Sequence, residues 1–222
     1  QQLYTMVDTM VVGQVAGVEA LAALGAVDFL MWVVTGISTG LTQGFSIQLS
    51  QYYGAKDFEN LRKSLAHSYR LTAFIAAGVL ILSQSFASLV LTGLHTPSNI
   101  IGMSLLYLRI IFCGIPATAA YNMFASALRA MGNSKTPLTA MIIASVLNVS
   151  LDILFVAGFG WGVAGAAIAT VIAQSFSAVY CFLILRRIDI VHLTKTDFMP
   201  ASGMNARLMK LGIPVVFQNI II

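Results

Sequence analysis

The chain has 222 residues, of which 58% are hydrophobic and only 9% charged, with a net charge of +4. Soluble domains carry about 25% charged residues, so this composition excludes a water-soluble globule and points to an all-α polytopic membrane helix bundle. A basic balance this small is explained below by where the connections lie, and it gives no sign of a nucleic-acid partner.

In chain order, residues 1 to about 17 read as the second part of a helix already under way. Apolar runs bounded by charge or turn residues then predict spans near 27–53, 67–92, 99–127, 137–159 and 162–187, and residues 207–222 open another. The chain begins at Gln1 without an initiator Met and stops at Ile222 inside an apolar run, so it reads as a piece of a longer protein. Cys113 and Cys181 both fall within spans, where free cysteine is a small apolar packing residue. No long linker, charge block or low-complexity tract divides the residues, which therefore read as one membrane domain.

Basic residues orient the bundle. Lys56, Arg62, Lys63 and Arg70 flank the second connection, Arg129 and Lys135 the fourth, and Arg186, Arg187, Lys195, Arg207 and Lys210 the sixth. The connections between them (GQVAGVEALAALGAVD, TGLHTPSN and GFGWGVAG) carry no Lys or Arg. The positive-inside rule places the even connections in the cytoplasm and the odd ones outside. Local signals agree: RAMGNSKTP joins a Gly-Asn helix stop to a Pro137 helix start, and GFGWGVAG is a tight turn with Trp161 at an interface. Gly162, Gly165, Ala166 and Ala169 give the following helix a small face for close packing.

Polar residues inside spans cost about 3 kcal/mol when charged, so they face a partner or a cavity. Residues three or four apart share a helix face, which yields three stripes: Gln1, Tyr4 and Asp8; Ser145, Asn148 and Asp152; and Thr170, Gln174 and Ser177. At a helical rise of 1.5 Å per residue, Asp152 lies roughly 10 Å and Thr170 roughly 12 Å from the outer helix ends, and Asp8 is comparably placed. The stripes thus converge in the outer half of the bundle. Carboxylate, amide and hydroxyl oxygens are the ligands of a hard cation, so Na⁺ is the metal that Asp8, Asn148, Asp152 and Thr170 would suit. A proton suits the same carboxylates, because desolvation raises a carboxyl pKa and two neighbouring carboxylates share their titration. Gln1, Tyr4 and Gln174 are expected to face the cavity.

Arg109, at roughly 15 Å depth, is the candidate ion-pair partner of Asp8 or Asp152. Asn122 lies near the cytosolic end of its span, away from the ion site, and Asp28 is expected at the outer surface as a helix N-terminal charge. His67, His95 and His192 have no metal-ligand spacing and receive no role. No phosphate loop, HExxH, Ser/His/Asp arrangement or CxxC pair is present, so nothing supports an enzyme or an organic cofactor.

MVDTMVVGQVAGVEALAALGA at 6–26, ALRAMGNSKTPLTAMIIASVLNVSLDILFV at 127–156 and GWGVAGAAIATVIAQ at 160–174 resemble the multidrug and toxic compound extrusion (MATE) transporters over nearly the whole chain. The resemblance implies twelve membrane helices in two six-helix lobes, cytoplasmic termini in the bacterial plasma membrane, and export of organic cations in exchange for Na⁺ or H⁺. It makes this chain the amino-terminal lobe, with residues 1–187 as helices one to six, 188–206 as the cytoplasmic inter-lobe connection and 207–222 as the start of helix seven. It matches Asp8, Asn148, Asp152 and Thr170 to the family's cation site and Tyr4 and Gln1 to polar cavity residues. The family's first-helix proline would lie before Gln1. LMKLGIPVVFQNIII at 208–222 looks like the opening of a second, parallel repeat.

The expected function is an antiporter for amphipathic organic cations, its partners a small-molecule substrate, the bilayer and a second lobe. Two alternatives stand beside it: a lipid-linked saccharide flippase, whose cavity should collect basic residues where only Arg109 is on offer, and a non-transporting membrane scaffold.

Overall fold

A computed structural model describes the backbone of residues 2–199 and 203–221, and side chains from residue 9 onward. Among the described residues the chain is a helix bundle without strands: α1 (Gln2–Val15), α2 (Val18–Gly54), α3 (Phe58–Gly93), α4 (Ile101–Cys113), α5 (Ile115–Ala130), α6 (Lys135–Asp152), α7 (Gly162–Arg186) and α8 (Met204–Ile221). A π-helical segment, Ile153–Gly158, prolongs α6. Four of these helical stretches are long and apolar enough to cross a membrane, and the pair α4 and α5, bent by 45°, makes a fifth. Large apolar side chains such as Phe74, Ile81, Leu89 and Val146 stand exposed on the outside of the bundle. That is the reverse of a soluble protein's surface and the ordinary state of a lipid-facing one. The protein is a multi-pass membrane protein.

Two sequence expectations are corrected here. The first connection was expected to occupy residues 13–28, but α1 and α2 are separated by only Ala16 and Gly17. Gly17 makes this turn at φ 91°, a conformation that other residues adopt at a cost. Val18 through Val27 are therefore helical, and Asp28 is not an N-terminal charge; it lies about 15 Å along α2. The span expected at 99–127 is broken at Gly114, where a Cβ would press within 2.7 Å of Val171 Cγ2, and Pro116 follows at the start of α5. Proline removes a backbone donor and kinks a helix that tries to continue through it.

The apolar core falls into two large parts and a small third cluster of Ala144 and Ala173. One part, at the end holding the α1–α2 turn, contains Val27, Phe112, Ile115, Val156, Val163 and Ala166. The other, at the end holding most of the basic residues, contains Leu41, Phe45, Leu49, Tyr121, Ala140, Ala178 and Leu185. Between these parts α2, α6 and α7 each carry polar residues among apolar ones: Asp28, Thr35, Ser38 and Thr39 on α2, Asn148 and Asp152 on α6, and Thr170 and Gln174 on α7. This middle layer is where the site lies.

Against α2 packs α8, through glycines at 36, 40 and 44. A four-residue spacing of small residues sets them on one face, where a partner helix can approach closely.

The connection after α7 is held to the basic end of α3. His67, which is buried, places Nδ1 at 2.7 Å from Asn205 Oδ1 and Nε2 at 3.0 Å from the Met199 carbonyl, while Arg70 donates to the Phe198 carbonyl at 3.3 Å. His67 thus has a structural role that its sequence neighbourhood concealed. Asp197, also buried, accepts from Thr194 N and Thr194 Oγ1 at 2.7 Å each and lies 3.9 Å from Arg62 Nε. Desolvation pushes the Asp197 carboxyl up, but the Thr194 hydrogen bonds and the charges of Arg62 and Lys63 outweigh it and hold the carboxyl below its ordinary value of 3.8. A depressed folded-state pKa contributes stability above the unfolded value that is lost as pH falls through the folded one. Hydrogen exchange of residues 194–198 is accordingly expected to be constant from pH 8 to 5, after correction for the intrinsic rate, and to lose protection only below about pH 4. Loss of protection already at pH 6 would contradict the assignment.

Candidate functional site: a buried polar layer beside a cavity

Asn148 and Asp152 are one helical turn apart on α6, and both are fully buried. They face α7, whose small residues allow the approach: Gly165 lies so close that a Cβ there would meet Phe155 of the π-helical segment at 3.0 Å, and Ala166 and Ala169 are fully buried. Across this seam the Asn148 amide Nδ2 donates to Thr170 Oγ1 at 3.4 Å, whereas Asn148 Oδ1 has no hydrogen-bond partner among the described residues. Asp152 is the last α-helical residue before the backbone widens into Ile153–Gly158. Single π turns inside α-helices occur often at functional sites.

α1 packs against α6, α7 and the π-helical segment, so the helix that carries Asp8 is a neighbour of both stripes. The side chains of Asp8, Tyr4 and Gln1 lie outside the described residues. Asn148, Asp152 and Thr170 are brought together; Ser177 lies further along α7, its hydroxyl turned to the Ala140 carbonyl at 3.5 Å.

Arg109 does not join them. It is exposed on α4 and makes no ion pair with a described carboxylate, while Asp152 is sealed in the interior, so the pairing of these two expected as one option does not form. The exposed α4 stripe of Gly102, Leu106, Arg109 and Cys113 explains this: at three- and four-residue spacing Arg109 points away from α6.

Beside the layer opens a cavity of about 440 Å³ between α2, α4, α5, α7 and α8. Thr170 and Gln174 line it from α7, Tyr107 and Phe112 from α4, and Asn219 from α8. From α2 come Asp28, Trp32, Thr35, Thr39 and Gln43, a stripe that the sequence reading passed over. Its three- and four-residue spacing was legible, but an expected span start at residue 27 turned Asp28 into an end residue. At one end of the cavity Asn219 Nδ2 donates to Gln43 Oε1 at 3.2 Å, and Asn122 Nδ2 donates to Thr39 Oγ1 at 3.3 Å. Asn122 therefore supports the cavity wall and stands apart from Asn148, as its depth implied. Thr170 belongs both to the cavity and to the Asn148 pair.

Oxygen-rich and without a cluster of three His, Cys, Asp or Glu side chains among the described residues, the layer offers hard ligands and no thiolate or imidazole set. Asn148 Oδ1, without a donor among the described residues, fits a small hard cation, since a buried acceptor left unpaired is costly.

The MatE family profile matches residues 1–154. The chain belongs to the MatE family. Among curated MatE relatives, it is 30% identical over 222 residues to a probable multidrug resistance protein, YpnP, of Bacillus subtilis, covering all of this chain and 50% of the relative. It is 25% identical to the probable multidrug resistance protein NorM of Thermotoga maritima, covering all of this chain and 48% of that one. Of solved structures, a MATE protein in a bent conformation superimposes with a TM-score of 0.93 at 25% identity, and one in a straight conformation with 0.90 at 25%, each covering 99% of this chain and 49% of that one. The chain thus spans about half the length of the MatE relatives it matches, which makes it lobe-sized, as the resemblance implied.

Proposed function

We propose that this chain is the amino-terminal lobe of a secondary antiporter that exports amphipathic organic cations in exchange for Na⁺ or H⁺, with the coupling ion bound at Asp8, Asn148, Asp152 and Thr170. One observation carries the reading: a fully buried carboxylate, Asp152, stands one turn from a buried amide oxygen with no donor among the described residues, and the Asn148–Thr170 hydrogen bond joins this pair to the wall of a drug-sized cavity. Similarity to multidrug resistance proteins supports the export of drugs. The ligand set supports Na⁺, and burial of the carboxylate supports H⁺.

In the antiporter, coupling arises because both ligands bias one equilibrium between the lobe arrangements, each stabilising the arrangement it binds better. Residues 188–206 then form the cytoplasmic link to a second lobe that begins with α8, and the basic end of the bundle faces the cytoplasm of a bacterial cell under the positive-inside rule. A solved MOP-superfamily transporter of Pyrococcus furiosus is described as having a binding pocket of reverse polarity. A flippase for a pyrophosphate-linked sugar would likewise need a basic cavity, and among the described residues no Lys, Arg or His lines this one.

Ion-dependent thermal stability of the purified full-length transporter tests the proposal. A ligand bound only by the folded state stabilises it by RT ln(1 + [L]/Kd), about 2.7 kcal/mol at a hundredfold excess over Kd. Melting temperature is expected to rise saturably with Na⁺, or with acidification in the case of H⁺, and the rise is expected to vanish in Asp152→Asn. Melting insensitive to both ions in the unsubstituted protein would favour the scaffold instead.

A further inference from the structure

We propose that Asp28 is the carboxylate that seats the positive centre of the exported molecule in this cavity, with Trp32 one turn along α2 offering its indole face beside it. The inference rests on the antiporter reading and adds to it a residue outside the ion-binding set. Among the described residues Asp28 makes no ion pair or hydrogen bond, and it is the one charged group lining the cavity. A carboxylate within a span, without a basic partner, asks for a cation from outside the protein.

The surroundings define which cation. The lining is mainly apolar and aromatic, with Met31, Trp32, Tyr107, Ile111 and Phe112 near one acidic group, and its volume of about 440 Å³ falls in the range of pockets that enclose drug-sized molecules. Residues 28 and 32 share a helix face, so a cation held at the carboxylate comes within reach of the indole, the best of the aromatic faces for a positive charge. A bare metal ion would gain nothing from the apolar walls, whereas an organic cation with aromatic substituents uses both. Placement also supplies a route to coupling. Thr170 lines the same cavity as Asp28 and accepts a hydrogen bond from Asn148, so the cavity that would hold an organic cation and the residues proposed for the coupling ion share one side chain of α7. Like charges so placed disfavour each other, which is the sign of coupling an exchanger requires.

Binding of tetraphenylphosphonium and of uncharged triphenylphosphine oxide to the purified full-length transporter tests this, with Na⁺- and pH-dependent melting measured on the same samples. Asp28→Asn is expected to weaken tetraphenylphosphonium at least about tenfold while leaving triphenylphosphine oxide within about twofold and the ion-dependent melting shift intact; Asp28→Glu is expected to keep phosphonium binding. Unchanged phosphonium affinity in Asp28→Asn would overturn the assignment, as would equal loss of both probes, which marks a merely structural role. Loss of the ion-dependent shift in the unsubstituted protein, with phosphonium still bound through Asp28, would instead sink the coupling-ion reading and leave the Asp28 seat standing.

Discussion

Asp152→Asn in the full-length transporter is expected to reduce ion-driven export of a cationic dye by more than tenfold while the protein remains in the membrane at its normal level. The amide has nearly the volume of the carboxyl, so packing against α7 survives; what disappears is the charge that would attract Na⁺ and the group that would take up a proton under the proposed coupling. A tenfold effect requires only about 1.4 kcal/mol, and an ionised group buried in a span already costs about 3 kcal/mol when nothing compensates it. The structure places the group where compensation matters most: fully buried, one turn from an amide oxygen that has no donor among the described residues. Dye efflux from energised vesicles, with protein level checked by immunoblot, decides the matter. Export at the unsubstituted rate would remove Asp152 from the mechanism.

Gly44→Ala should be clearly more destabilising than Gly212→Ala, although the two glycines face each other across the α2–α8 crossing. A Cβ on Gly44 would overlap the Cα of Gly212 and lie 2.7 Å from both its backbone nitrogen and the Leu211 carbonyl oxygen. Backbone has no rotamer to escape into, so the helices must separate, at a cost of about 1–3 kcal/mol. The same atom on Gly212 would meet the tips of Leu41 and Phe45 at 3.0 and 3.1 Å, and side chains can give by a few tenths of an ångström. Equal melting temperatures for the two variants would show that α2 and α8 do not cross this closely in the full-length protein.

Much of the fold was legible because a bilayer imposes strong rules. Backbone groups must be satisfied inside each segment, so long apolar runs become helices; the runs at 67–92, 137–159 and 162–187 correspond to α3, to α6 with its π-helical extension, and to α7. The run at 99–127 was continuous in hydropathy but is broken in space, because hydropathy does not register the Gly114–Pro116 bend. GQVAGVEALAALGAVD looked like a connection for the opposite reason: small residues lower its hydropathy, yet Ala and Leu are strong helix formers and carry α2 back to Val18.

The candidate site divides in the same way. Asn148, Asp152 and Thr170 were found because a polar residue in an apolar helix is conspicuous and helical spacing places it at a depth. The sequence by itself determined the class of the protein, most of its helices and the position of Asn148, Asp152 and Thr170 along theirs, since these follow from hydropathy and from the fixed rise of a helix. Only the tertiary structure decided azimuth and contact: that Arg109 faces outward, that His67 fastens the connection, that Asp28 opens on a cavity, and that Thr170 joins that cavity to Asn148. Rotation of one helix against another is set by packing between residues far apart in the chain, such as Gly165 against Phe155 or Gly44 against Gly212, and no local pattern of hydropathy encodes which pair will meet.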